Sequence, residues 1–130
     1  MTAATVRKAT DFEVTGKGSA AEWAQADWLP LSRVGQGNAP YATRAKLLYS
    51  DTGMYFLFDC EDRRLTCTMT EDYDEIYKED VVEVFLWPDE SQVLYFEYQN
   101  SDHGLRRMGS GVRCRGEDGG GVRSWANTSK

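Results

Sequence analysis

Short apolar and aromatic runs, each ended by a turn signal, limit this chain of 130 residues to a β-rich fold. The run from Met54 to Cys60 is aromatic and continuous, which is typical of a strand buried on both faces. It follows the run from Ala45 to Tyr49 across a four-residue turn that ends at Gly53, so the three segments predict a hairpin. Because no long helical pattern interrupts such strands, we expect an all-β chain that folds as an antiparallel β-sandwich, jelly-roll-like in its connections.

Two further strands are predicted later in the chain. Val81 to Trp87 stops at Pro88, and Val93 to Tyr98 follows a short polar turn. Ala20 to Ala26 is expected to form one or two helical turns, which Pro30 would end. The side chains that we expect to face inward are Leu48, Phe56, Phe58, Val82, Val84, Leu86 and Phe96.

The chain changes character after residue 99. Residues 1–99 are acidic, whereas residues 100–130 are basic and hold seven of the twelve glycines. A segment with few apolar residues and no hydrophobic period buries too little surface to offset the entropy lost on ordering. The sequence therefore predicts a folded domain over 1–99 and a Gly/Arg-rich, unpatterned tail over 100–130.

Charge and composition argue against several classes of function. The formal net charge of −6 disfavours nonspecific binding to nucleic acid or to an anionic membrane, and no apolar run approaches the ~20 residues of a membrane span. Cys60, Cys67 and Cys114 fit no zinc spacing, and the single histidine, His103, argues against His-based triads. The first residues lack the apolar stretch of a signal peptide, which is typical of an intracellular chain, although the compartment stays open.

Residues 71–83 contain seven acidic side chains. Clustered carboxylate oxygens suit a hard cation, so calcium is a candidate ligand, but the spacing does not fit an EF-hand loop. A solvated acidic loop is the alternative interpretation, and the sequence leaves metal content open.

Two glutamates interrupt the predicted strands. A period of two puts Glu83 on the face of Phe85, and Glu97 on the face of Tyr95. A carboxylate on an aromatic sheet face is costly unless it is paired or functional. One use is to accept hydrogen bonds from sugar hydroxyls while aromatic rings cover the apolar sugar faces. Solvent-facing glutamates and the acid and base of a glycosidase are the alternatives.

Four motifs follow one another in a characteristic order: Trp23, then Thr43 to Tyr49, then Met54 to Phe58 with Asp62 after it, and then Tyr77 to Leu86. The last contains the most specific block, aromatic–x–x–Asp–x–Val–Glu–Val–Phe. Over about residues 10–99 this order resembles carbohydrate-binding module family 9. The resemblance implies a β-sandwich with no catalytic activity, which binds sugars, often the reducing ends of plant polysaccharides, and which in characterised members carries calcium. It also implies a glucan, a xylan or an oligosaccharide as partner, and an extracellular location in some members.

The resemblance assigns roles to individual residues. The first of two sugar-stacking aromatics falls on Tyr77, the hydroxyl-binding glutamate on Glu83, and the aspartate that closes the preceding strand on Asp62. A family arginine falls on Glu97, which reverses the charge and completes the set of candidate sugar-binding residues. The second aromatic comes from the C-terminal part of longer members, and nothing in the sequence shows that Trp125 is equivalent to it. We therefore expect a sandwich that is incomplete at its C-terminal end.

Two other functions stay open at this point. Without the second aromatic, the chain could be a degenerate structural or interaction β-sandwich that binds no sugar. A haem-binding redox sandwich would need His103 together with Met54, Met69 or Met108 as iron ligands.

Overall fold

The computed structural model describes residues 3–32, 37, 41–71, 74–101, 106–112 and 125–126, the last two ranges by their backbone alone. Contacts group the chain into two compact units, Met1–Arg63 and Arg64–Lys130, and each contains a four-stranded sheet. The fold is all-β, as predicted, with short 3-10 helices between strands. Within the described ranges, no helix is long and apolar enough to cross a membrane.

The first sheet is built around one central strand, β3. Its strands are β1 (Arg7–Lys8), β2 (Leu29–Leu31), β3 (Thr43–Tyr49) and β4 (Met54–Cys60). β3 pairs antiparallel with β2 and β4, which confirms the predicted hairpin, but it pairs in parallel with β1, so this sheet is not wholly antiparallel. The hairpin turn is closed by the Ser50 amide, which donates to the Gly53 carbonyl at 2.8 Å, and by the Gly53 amide, which donates to Ser50 Oγ at 3.2 Å.

An apolar cluster holds the first unit together. Its buried members are Ala9, Trp23, Ala26 and Leu48, with Phe12, Ala20, Tyr55 and Leu57 packed against them. Trp23 lies in a 3-10 helix, Ala21–Gln25, where helical turns were predicted. The Phe12 ring meets the Trp23 ring edge-on at 5.3 Å between centroids and stacks on the Tyr55 ring at 4.3 Å. The cluster therefore ties the N-terminal segment and the helix to the β3–β4 hairpin.

The prediction that β4 is buried on both faces is wrong. Leu48 on β3 is fully buried as predicted, but Phe56 and Phe58 on β4 are only half-buried, and Met54 is exposed. An antiparallel pair commonly keeps one face in contact with solvent, even where both faces carry apolar side chains.

The second sheet has the strand order β5-β6-β7-β8, and every neighbouring pair is antiparallel. Its strands are β5 (Val81–Leu86), β6 (Leu94–Ser101), β7 (Arg106–Val112) and β8 (Trp125–Ala126). β5 and β6 were predicted, whereas β7 and β8 lie within 100–130, where no strand was expected. The described residues do not include 102–105, 113–124 and 127–130. The division of the chain into a folded domain and a tail therefore stays a prediction.

The covered face of β6 is the opposite of the one predicted. Tyr95, Glu97 and Gln99 are buried, whereas Phe96 is 45% exposed. The expectation that Phe96 faces inward is therefore wrong, and Val82, Val84 and Leu86 are half-buried. A period of two separates the two faces of a strand, but it does not say which face the rest of the chain covers.

Candidate functional site

One face of β5 and β6 carries polar and aromatic side chains in register. Glu83 lies opposite Gln99, and Phe85 lies opposite Glu97. On β6 the side chains of this face are almost fully buried, with 2% of Gln99 and 3% of Glu97 exposed. We call this set the polar row, and its members are Glu83, Phe85, Tyr95, Glu97, Gln99 and Ser101.

Gln99 joins the two predicted glutamates. Its Nε2 donates to Glu83 Oε1 at 2.7 Å and to Glu97 Oε1 at 2.5 Å. A side-chain amide has two N–H donors, so both are used by these carboxylates and the orientation of the amide is fixed. The carbonyl Oε1 of Gln99 is buried and accepts no hydrogen bond from the described residues.

Two hydroxyl groups complete the polar row. Tyr95 Oη and Ser101 Oγ are buried and have no hydrogen-bond partner within the described part of the chain. Burial, reinforced by the carboxylates of Glu97 and Glu83, raises the pKa of the Tyr95 phenol, so this group keeps its proton and can donate it. Leaving a buried polar group without a partner costs about 1–3 kcal/mol. Buried polar groups without partners are rare in folded proteins, so the polar row is a candidate functional site.

An exposed aromatic ring lies beside these polar groups. Phe85 is 56% exposed, and its ring centroid is 5.8 Å from that of Tyr95. Glu83 is exposed as well, so the polar row is open to solvent along β5. Sequence reasoning put Phe85 on the face of Glu83 but gave it no role.

β7 pairs with β6 and continues the face of the polar row across the sheet. Its register places Arg107 opposite Gln99, Gly109 opposite Glu97 and Gly111 opposite Tyr95. On β8, Trp125 is in turn opposite Gly111. Directly opposed residues on antiparallel strands share a face, so these positions belong to the face of the polar row. The strand pairing thus gives Trp125 a position that the sequence could not supply.

Tyr77 lies on a neighbouring element. It belongs to a 3-10 helix, Ile76–Lys78, which contacts β6. Its ring is 44% exposed, its hydroxyl donates to Glu75 Oε1 at 2.7 Å, and Lys78 Nζ lies 5.9 Å from the ring centroid. An exposed ring can stack on a ligand, but the sugar-stacking role of Tyr77 stays a prediction.

Asp62 belongs to the first unit, two residues after the end of β4. The structure therefore brings Glu83 and Glu97 together through Gln99, places Tyr77 in the same unit as these residues, and describes Asp62 with the other unit. The predicted role of Asp62 likewise stays a prediction.

Two carboxylates of the acidic segment 71–83 accept hydrogen bonds from the backbone of Thr66 and Thr68. Glu79 Oε2 accepts a hydrogen bond from the Thr68 amide at 2.8 Å, and Asp80 Oδ2 accepts one from the Thr66 amide at 2.6 Å. The Asp80 amide also donates to the Thr66 carbonyl at 3.1 Å. Among the described residues, no group of three or more His, Cys, Asp or Glu side chains could hold a metal ion. Asp72 falls outside them, and calcium stays a prediction.

Of the iron ligands that the redox alternative needs, Met54 and Met69 lie among the described residues and Met108 is described by its backbone alone. Cys60 and Cys67 are free thiols, and desolvation by neighbouring groups is the main cause that raises the pKa of the exposed Cys60 thiol. His103, which a haem site would need, and Cys114 lie among the residues that the structure does not describe.

Comparison with known proteins gives the family. The family model described as "Carbohydrate family 9 binding domain-like" matches residues 14–122, which extends past the range over which the motifs carry the resemblance. Comparisons with curated proteins and with solved structures found no match. Domains of this family are β-sandwiches that are typically non-catalytic, in agreement with an all-β chain of two sheets. Because the match covers most of the chain, this protein belongs to the carbohydrate family 9 binding domain-like family, and membership supports carbohydrate binding as its general function.

Proposed function

We propose that this protein binds a sugar unit or a polysaccharide chain end on the polar row and catalyses no reaction. The observation that carries the proposal is the Gln99 amide, which holds the carboxylates of Glu83 and Glu97 at 2.7 and 2.5 Å on one sheet face. Acceptors that are already fixed lose little side-chain freedom when a ligand binds, which favours affinity.

The chemistry of the polar row suits sugar hydroxyls. Glu83 and Glu97 accept hydrogen bonds as carboxylates, and the Gln99 carbonyl accepts as a neutral group. The Tyr95 hydroxyl, with its raised pKa, donates. Hydrogen bonds to charged groups contribute about 1.5–3 kcal/mol each, so the carboxylates supply most of the polar binding energy. A glucan, a xylan or an oligosaccharide derived from them presents the required hydroxyl groups.

The aromatic platform has two candidates within the second unit. The family resemblance favours Tyr77, whereas cross-strand pairing favours Phe85, because Phe85 lies directly opposite Glu97 and is the more exposed of the two rings. Trp125, which shares the face of the polar row by register, is the candidate for the second aromatic. Alanine substitution at each of the three positions distinguishes these candidates. Affinity for the sugar should fall in a variant that has lost a stacking ring and should be unchanged in the others.

Calorimetric titration of the full chain with cello- and xylo-oligosaccharides tests the proposal. Glu83→Ala should weaken binding by about 1.5–3 kcal/mol, because a charged acceptor is lost. The matched control is Glu90→Ala, which removes the same charge from an exposed turn between β5 and β6. Asp62→Ala tests the role that the resemblance assigns to Asp62.

Two outcomes would count against the proposal in different ways. Binding that is present and equally strong in Glu83→Ala and Glu90→Ala would move the site away from the polar row. Absence of binding to every oligosaccharide would favour the degenerate β-sandwich.

A further inference from the structure

The face of the polar row is covered over β6 and open along β5. Tyr95, Glu97 and Gln99 on β6 are only 8%, 3% and 2% exposed, so the chain itself occupies the space above them. On β5 the situation is reversed, because Glu83 is exposed and 56% of Phe85 is exposed. A ligand therefore meets this face along β5, where a carboxylate and an aromatic ring are both in contact with solvent.

A second ring follows Phe85 on the open side of the face. The alternation of side chains along β5 puts Trp87, directly after the strand, on the face of Glu83 and Phe85. The Trp87 side chain is partly exposed, and its Nε1 donates to the Gln92 carbonyl at 2.8 Å, which holds the indole in one orientation. Two residues of an extended strand span about 7 Å, so the two rings follow one another along β5, with Glu83 beside the first.

We propose that Phe85 and Trp87 form a two-ring platform along β5 that takes two neighbouring units of a linear, uncharged glucan or xylan chain. This inference deepens the proposed function and rests on it. One unit stacks on Phe85 and donates a hydroxyl to Glu83, and the next unit stacks on Trp87. Glu83 and Asp89 put negative charge near the two ends of the platform, which disfavours a chain that carries carboxylate groups.

Chain length tests the platform, because a site for a single unit binds a monosaccharide and a disaccharide equally well. In NMR titrations of the full chain, we expect cellobiose and xylobiose to bind about threefold to tenfold more tightly than glucose and xylose, by analogy with other ring contacts.

Three leucine variants locate the two rings. Trp87→Leu removes the second ring, so the gain from the second sugar unit should disappear while monosaccharide affinity stays unchanged. Phe85→Leu removes the first ring and should weaken the binding of both. The matched control is Phe96→Leu, which makes the same change at a ring that is 45% exposed on the opposite face of the sheet, and it should bind as the parent chain does.

The outcomes separate the platform from the proposed function. If the parent chain binds mono- and disaccharides equally well, or if Trp87→Leu binds disaccharides as the parent does, the platform is wrong and the proposed function stands. If the parent chain binds none of the four sugars, the proposed function fails and the platform fails with it. If thermal unfolding shows that Trp87→Leu does not fold, Phe85→Trp decides: tighter disaccharide binding through the larger ring supports the platform, and unchanged or weaker binding overturns it.

Discussion

The two units bury different kinds of side chain. Among the described residues, those buried in the first unit are apolar, with Trp23 and Leu48 at the centre of the cluster. In the second unit Ile76 is fully buried, but the buried side chains of β6 are Tyr95, Glu97, Gln99 and Ser101.

We expect this difference to separate the residues that stabilise the fold from those that bind a ligand. Burying apolar surface stabilises a fold by roughly 25 cal/mol per Å², whereas burying polar groups without partners opposes folding. A chain that keeps a polar row under such a cost is expected to use it, and here the polar row coincides with the predicted sugar-binding glutamates. The first unit is therefore expected to respond to core mutations through stability, and the second through ligand binding.

The largest expected effect concerns the apolar cluster. Leu48 is fully buried, so Leu48→Ala should lower the free energy of unfolding by about 2–5 kcal/mol. Leu31→Ala removes the same atoms from a side chain that is 49% exposed, and a surface change of this kind should cost about 0.5 kcal/mol or less. Urea denaturation of both variants measures the difference. Equal losses would show that Leu48 is not the centre of the first unit.

A smaller effect of opposite sign is expected in the polar row. Tyr95→Phe removes a buried hydroxyl that has no partner among the described residues, so the free energy of unfolding should stay the same or rise by about 1 kcal/mol. The same change should weaken oligosaccharide binding, because a donor to the sugar is lost. Tyr98→Phe, on the opposite face and 39% exposed, should change neither quantity.

Denaturation and titration of these two variants test the comparison directly. A loss of stability in Tyr95→Phe, with binding unchanged, would mean that the hydroxyl serves the fold. Tyr95 would then contribute to stability, as the buried residues of the first unit do.

Much of the sheet structure could be predicted because its signals are local. The β3–β4 hairpin follows from two apolar runs and a turn that ends in Gly53, and β5 follows from a run that stops before Pro88. β7 gives no such signal, since glycine at alternate positions removes the hydrophobic period, and the strand is defined by its backbone pairing with β6. Pairing between distant segments is a property of the sheet, which composition does not reveal.

The candidate site could be read from the sequence in part for the same reason. A carboxylate within an apolar run identified Glu83 and Glu97. The alternation of Tyr95, Glu97, Gln99 and Ser101 was also present in the sequence and would have added Gln99, had the period of two been followed to the end of β6. Which face of β6 is covered could not be read, because Leu94, Phe96 and Tyr98 make the exposed face the more apolar of the two.

The smallest expected effect concerns two exposed aspartates, one in each unit. Asp11 Oδ1 accepts hydrogen bonds from Thr52 Oγ1 at 2.7 Å and from Tyr55 Oη at 2.8 Å, which ties the N-terminal segment to the β3–β4 hairpin. The hydroxyl groups of Ser50, Thr52 and Tyr55 lower the pKa of Asp11. Asp89 has a lowered pKa through Ser91, but this contact stays within one turn.

Acid should therefore act differently at the two aspartates. A lowered folded-state pKa gives stability that is present above the unfolded-state pKa, about 3.9 for aspartate, and is lost as the pH falls through the folded-state value. Asp11→Asn should consequently lower the thermal unfolding midpoint at neutral pH, and its difference from the parent chain should shrink as the pH falls below about 4. Asp89→Asn should show a smaller difference over the same range, because its hydrogen bonds join no distant segments. A gap between Asp11→Asn and the parent chain that persists undiminished in acid would show that the charge of Asp11 is not what holds the N-terminal segment in place.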